Sequence, residues 1–312
     1  MSALPIDHYH WEKYGLVYDV KLNPAWGKTH ALVPSPVVLN NEIVRIYCSF
    51  VDNDFRGRIG YVDVNLSDGH PEIIHVSEKP VLDLGPNSTF SQYGVGMGTF
   101  WPNHPEGDLY FVGFDRPAGF KFKAFSGKAH YDSQKMTHVH SQNEPFFGSD
   151  YGGETIVGVH DIFEFENLTH ALISIGSGFQ NINGKDFPKY QVHLASGTDL
   201  KSLEISKEPI IEAIPPVYRI GRPRIYETKN GLEILVTAGD LSGNYLPRAF
   251  YSKDLVSWVE GSCQSFVKSV VNGFDDMHQC YLSRFNLNNT EYIVYNGNSM
   301  GVKGFGIAKG VK

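Results

Sequence analysis

A chain of 312 residues has room for one large domain or two ordinary ones, and length alone does not choose between them. With 41% hydrophobic and 20% charged residues it is not a disordered segment. A net charge of −7, with Lys and Arg scattered, speaks against a nucleic-acid surface, and no stretch approaches the ~20 apolar residues of a membrane span.

Gly is abundant at 32, and the 17 Tyr and 20 Phe suit short strands joined by tight turns. Near the N-terminus, residues 15–18 form an isolated apolar segment. Five similar units follow, each opening on a polar motif at intervals of roughly 55–70 residues, a periodicity of repeat architectures. The first opens on Thr29-His30-Ala31, leads into Val37-Val38-Leu39, turns at Asn40-Asn41, and continues with strands at 42–50 and 58–62. The second opens on Ser91-Gln92-Tyr93-Gly94, with Thr99-Phe100-Trp101, a turn at Glu106-Gly107, and strands at 108–114 and 127–131. The third opens on Gly152-Gly153-Glu154-Thr155, with strands at 156–159, 171–175 and 190–195 around a turn at Glu166-Asn167. The fourth opens on Gly221-Arg222-Pro223-Arg224, with strands at 225–226, 232–237 and 247–251, a turn at Asn230-Gly231, and an outer turn at 252–258. The fifth opens on Asp275-Asp276-Met277-His278, with strands at 280–282, 291–295 and 304–308 around Asn288-Asn289.

Strand, tight turn, strand, loop, strand, outer strand is the order of a four-stranded antiparallel blade. The reading is an all-β, five-bladed β-propeller forming a single domain over residues 1–312. The fifth unit lacks an outer strand, and residues 15–18 are expected to supply it. The five openers would then converge on one central funnel. Three scattered cysteines (Cys48, Cys263, Cys280) make no disulfide framework, and the first eight residues lack the basic start and apolar core of a signal peptide. A reduced, cytoplasmic protein is expected, with Cys48 a small buried thiol.

The chain resembles the five-bladed propeller proteins related to glycoside hydrolase families 43, 32 and 130, and especially a bacterial subgroup encoded among surface-polysaccharide genes. The resemblance is carried by residues 46–52, 57–63 and 79–85, by Gly221-Arg222-Pro223, and by Tyr295-Asn296-Gly297-Asn298 through 304–308. It implies carbohydrate chemistry in the funnel, with a sugar or activated sugar as substrate and no cofactor. It also implies an Asp on the innermost strand of each of the first two blades and a Glu on that of the third. The first motif here holds no carboxylate and the second offers Gln92, which cannot act as a base; only Glu154 in the third remains. Inverting hydrolysis needs two carboxyl groups roughly 6.5–9.5 Å apart, so the set is broken. Either a hydrolase- or transferase-like enzyme of polysaccharide biosynthesis, or a glycan-binding propeller without catalysis, fits what is left.

Glu154 is the candidate general acid or base, against a plain surface carboxylate. Asp275, Asp276 and His278 are candidates to complement it, against turn residues. Strand alternation sends Arg222 and Arg224 to one side, where forked hydrogen bonds suit a carboxylate or phosphate; the alternative is an ion pair with Glu154 or Asp276. His30 and His160 are further binding candidates. With His278 and Glu154 they could also form a His/carboxylate metal site, although their spacing does not require one, and Asp161 should point away from His160 in a regular strand. Asp83 is expected to cap the funnel, and Tyr93 and Trp101 to offer stacking faces. The pairs His8/His10 and His138/His140 flank loops. No nucleophile elbow, phosphate loop or dinucleotide fingerprint is present. The particular sugar and the oligomeric state are left open.

Overall fold

The computed structural model describes residues 3–147, 154–271 and 273–312; Gly152 and Gly153 of the third opener lie outside them. The N-terminal strand β1 (His10–Asp19) is followed by strands that fall into five antiparallel groups, I to V, of which II and III share one eight-stranded sheet. Group I contains β2 (Ala31–Val38), β3 (Ile43–Val51), β4 (Gly57–Asn65) and β5 (Glu72–Val76). Group II contains β6 (Gly94–Trp101), β7 (Asp108–Asp115), β8 (Lys123–Asp132) and β9 (Thr137–His140). In group III, β10 (Ile156–Phe165) and β11 (Leu168–Gly176) are followed by a separate hairpin, β12 (Phe179–Ile182) and β13 (Lys185–Pro188), before β14 (Gln191–Gly197) and β15 (Glu204–Ile205). Group IV is β16 (Val217–Thr228), β17 (Gly231–Asp240), β18 (Tyr245–Ser252) and β19 (Val259–Glu260). Group V is β20 (Cys280–Leu287), β21 (Thr290–Asn296) and β22 (Gly304–Val311).

Strand β1 pairs with β22 and completes group V, as the missing outer strand required. The tight turns are where the sequence puts them. Glu166-Asn167 and Asn288-Asn289 both sit at positive φ, the conformation of a two-residue turn that matches strand twist. First strands are neighbours in succession, β2 to β6, β6 to β10, β10 to β16 and β16 to β20, and β20 returns to β2. Groups II and III also join through a short parallel contact of β10 with β8.

The apolar core lies between groups. One cluster unites Val37 and Tyr47 of group I with Phe100 and Phe111 of group II and Val159 and Ile173 of group III. Cys48 is fully buried in a second cluster between groups I and V, and burial pushes its thiol pKa well up. Trp101 packs against the first cluster, so it is not a stacking face in a funnel.

One irregularity recurs five times. Each first strand carries a β-bulge at the matching place: Val33 in β2, Gly98 in β6, His160 in β10, Arg222 in β16 and Tyr281 in β20. Val33, Arg222 and Tyr281 have φ of 56°, 54° and 59°, unusual for residues with a side chain. Gly98 leaves no choice of residue, because a Cβ there would sit 2.2 Å from the Tyr110 carbonyl oxygen. A polar side chain of the preceding group latches four of these sites. Ser49 Oγ accepts from Met97 N (2.9 Å), Ser126 Oγ from Val159 N (2.8 Å), Thr237 Oγ1 from Tyr281 N (2.8 Å) and Asn296 Oδ1 from Val33 N (2.9 Å). Bulges re-aim side chains, and here they turn side chains of successive groups toward one place.

Candidate functional site: a cationic central cavity

Four of the five bulge residues, Val33, His160, Arg222 and Tyr281, line a single cavity of about 220 Å³. Apolar surface from Met97, Val112, Phe114, Phe122 and Ile156 forms much of its wall, and Arg219, Tyr190 and Ser174 complete its polar part. Ser174 stands where the fifth latch would be, and its buried hydroxyl has no partner. Val33, Gly96, Phe114, Phe122 and Tyr281 also line a wider space of about 530 Å³, which is the mouth of the same funnel.

Arg222 is held rigidly. Its Nη1 donates to the carbonyl oxygens of Met97 (3.1 Å) and Gly98 (2.9 Å), its Nη2 donates to Ser35 Oγ (2.5 Å), and its buried Nε has no partner. Burial and then the neighbouring Arg224 press its pKa down to about 9, so it is still charged at neutral pH. Among the described residues no carboxylate pairs with it, and the ion pair with Glu154 or Asp276 entertained from the sequence does not form. Arg219, three residues earlier on β16, is also buried. Its guanidinium lies 3.9 Å from the Tyr245 ring centroid and 4.7 Å from that of Phe187; its Nη2 meets only Met300 Sδ at 4.0 Å, and its Nε has no partner.

Arg224 does not share the face of Arg222. The bulge at Arg222-Pro223 breaks the alternation, and it is also what allows Pro223 inside a strand. Arg224 lies outside the cavity lining, donating to Thr99 Oγ1 and the His160 carbonyl and pairing with Asp161 at 3.3 Å. The same effect operates in β10. With His160 in the bulge, its ring lines the cavity, while Asp161 turns into the core, bonding Thr99 and the Ile225 amide. His160 Nδ1 has no partner, and burial, followed by Arg222 and Arg224, holds its pKa well below the usual histidine value.

Most other expected site residues serve the fold. Asp275 is fully buried under Lys13 (2.8 Å) and Tyr295 OH (3.0 Å). Asp276 is exposed and accepts from Asn298 Nδ2 at 2.6 Å. His278 accepts from Ser299 N at Nδ1 (3.3 Å) and so donates from Nε2 to the Gly243 carbonyl (3.2 Å), leaving no nitrogen for substrate. Gln92 braces its own loop between Ser88 N and Asp115 Oδ1. Asp83 is exposed and pairs with Arg58 at 2.7 Å rather than capping the funnel. His30 contacts Thr29 Oγ1 at 2.8 Å and is not in the cavity lining. His138 and His140 contact the carbonyls of Gly107 and Asp83. Tyr93 is at the mouth. Glu154 lines a different groove, of about 600 Å³ between groups III and IV, together with His193, and its Oε2 is buried without a partner. Among the described residues lining the central cavity and its mouth there is no Asp or Glu.

No protein-family profile matches the chain. Two uncharacterized proteins of Mycobacterium tuberculosis, from two strains, are 29% identical to it over 119 residues, 38% of this chain. The match spans 40% of those relatives' own length. Among solved structures, a glycosyl hydrolase from Bacteroides ovatus superposes with a TM-score of 0.64 at 12% identity, over 99% of this chain and 96% of that one. The α-L-arabinofuranosidase of Podospora anserina gives 0.61 at 10% identity, over 99% and 98%. A β-fructofuranosidase of glycoside hydrolase family 32 from Bombyx mori gives 0.58 at 12%, over 96% and 61%. The chain has the fold of the propeller glycoside hydrolases. At such identities the likeness extends to the fold alone. Within this propeller fold the central cavity is cationic, and Arg219 and the hairpin β12–β13 that brings Phe187 over it are parts the sequence reading passed over.

The histidines give this propeller a pH dependence. His30, His138, His140, His160, His193 and His278 all have pKa values lowered from 6.5, by burial first. Below pH 6.5 the unfolded chain therefore binds protons that the native state does not, and stability falls as pH falls. Thermal unfolding at pH 7.5, 6.5 and 5.5, above the range where most carboxylates titrate, is expected to show Tm declining over the lower interval. An unchanged Tm would contradict this account of the buried imidazoles.

Proposed function

We propose that the chain is a single-domain, five-bladed propeller whose central cavity binds an acidic sugar, the anionic group resting on Arg219 and Arg222. Support for five blades comes from the five matching bulges and from the return of β20 to β2. One observation carries the ligand reading. Of the nine arginines in the sequence, six pair with carboxylates; Arg116, Arg219 and Arg222 pair with none among the described residues, and all three line the funnel. A buried guanidinium without a counter-ion is costly, and an anionic ligand would remove that cost. The apolar wall suits the hydrophobic faces of a sugar ring, and the absence of described carboxylates in the lining fits binding better than two-carboxylate hydrolysis.

A second reading, bond cleavage or sugar transfer, is favoured by the partnerless Glu154 oxygen beside His193 in the adjoining groove, which Tyr190 also lines. A thermal-shift screen of acidic sugars on the wild type and on Glu154→Gln, paired with a turnover assay, separates the two. Binding is expected to be the same in both proteins. A turnover detected in the wild type and reduced by about 10²-fold or more in Glu154→Gln would favour the enzyme.

A further inference from the structure

The mouth of the funnel carries its own cations, and they identify the class of ligand more closely; this inference rests on the acidic-sugar reading above. Arg116 is exposed there, donating from Nη2 to the Phe55 carbonyl at 3.3 Å, with its guanidinium carbon 5.7 Å from the Tyr93 ring centroid. Lys121 donates to the Asp186 carbonyl at 2.8 Å and lies 5.5 Å from the Phe179 ring centroid. Neither pairs with a carboxylate among the described residues. Phe55, 67% exposed, and Tyr93, 38% exposed, give this part aromatic faces open to solvent.

Between the mouth and the inner cavity runs an apolar collar of Val33, Gly96, Phe114 and Phe122, which line both spaces. The funnel therefore alternates: two arginines inside, an apolar stretch, then Arg116 and Lys121 with aromatic faces outside. We propose that it takes an oligosaccharide of acidic sugars, one carboxylate on Arg219 and Arg222 and the next acidic sugar on Arg116 and Lys121, stacked on Tyr93 or Phe55. A nucleoside diphosphate sugar fits less well, because its two phosphates adjoin and would present their charge at one point rather than on both sides of the collar. On a protein of net charge −7, a cationic track lined by no carboxylate among the described residues is also the place where a polyanion is least repelled.

The test is calorimetric titration of the wild type and an Arg116→Ala/Lys121→Ala double variant. The probes are galacturonic acid and its oligomers of two to four units, glucuronic acid, hyaluronan oligosaccharides, and UDP-glucuronic acid. Both substituted residues are exposed, so folding is not at stake. In the wild type at least one oligomer series is expected to bind tenfold or more tighter than its monomer, and that ratio is expected to collapse toward one in the double variant. A monomer that binds with no gain on lengthening, or a gain that survives the double substitution, would overturn the proposal while leaving the inner acidic site standing. UDP-glucuronic acid binding tenfold tighter than every oligomer would overturn it in favour of a nucleotide sugar. If no acidic sugar binds the wild type at all, the acidic-sugar reading itself fails, and this inference with it.

Discussion

Arg219→Met is expected to weaken binding of an acidic monosaccharide by about 30-fold or more, because truncating one partner of a buried charge pair costs roughly 2–5 kcal/mol. Tm should stay within a few degrees of the wild type. Arg219 reaches Tyr245, Phe187 and Tyr218 largely through its flat guanidinium and makes one weak contact with Met300 Sδ, so a Met of similar length replaces most of its packing. Arg222→Met should lose binding too, but it should also lower Tm. It would leave the Met97 and Gly98 carbonyls and Ser35 without their buried donor, and each unsatisfied group costs about 1–3 kcal/mol. The contrast between the two variants distinguishes a residue that waits for ligand from one that also ties β16 to groups I and II. Equal Tm losses, or undiminished binding by Arg219→Met, would contradict these assignments. Titration followed by thermal melts of the same preparations measures both.

The second large effect concerns stability. Asp275→Ala strands the ammonium of Lys13 in the core, and breaking a buried pair from one side costs about 3–5 kcal/mol. For a chain of this size that corresponds to a fall in Tm on the order of 10 °C. Lys13 lies on β1, 4.1 Å from the Phe266 ring centroid and 5.1 Å from that of Tyr295, so the pair fastens the N-terminal strand to group V. Burial lowers the Lys13 pKa, and the hydrogen bond it donates to Asp275 works against that lowering. Replacing both residues, Lys13→Met with Asp275→Leu, should recover much of the loss, since an apolar pair avoids the desolvation of two charges. A small change in the single variant would show that β1 is held by its ladder alone.

The strand plan was legible because its signals are local. Turn dipeptides such as Asn288-Asn289, alternating apolar runs, and the lone segment at residues 15–18 needed no long-range information, and each lies where expected. The bulges were not legible. A period-two reading assumes a regular strand, so it aligned Arg222 with Arg224 and turned Asp161 from His160 for the wrong reason; one inserted residue changes every facing that follows. Asp275 looked like a site residue because its partner, Lys13, is 262 positions away in the chain. Two available signals went unused. Asn183-Gly184, with φ of 49° and 82°, is a strong hairpin marker and announces β12–β13. Three arginines within six residues, Arg219, Arg222 and Arg224, in a chain otherwise without a basic cluster, point to the cavity that the openers alone did not locate.

The most direct measurement is equilibrium titration of the wild-type protein with D-glucuronic and D-galacturonic acids beside D-glucose and D-galactose, at low and high salt. A cavity whose charge is arginine without a counter-ion predicts that an acidic sugar binds with one site per chain. It further predicts that its neutral counterpart binds at least 100-fold more weakly, and that the preference shrinks as salt rises. Acidic and neutral sugars binding alike, or acidic binding that ignores salt and survives Arg219→Met, would contradict it.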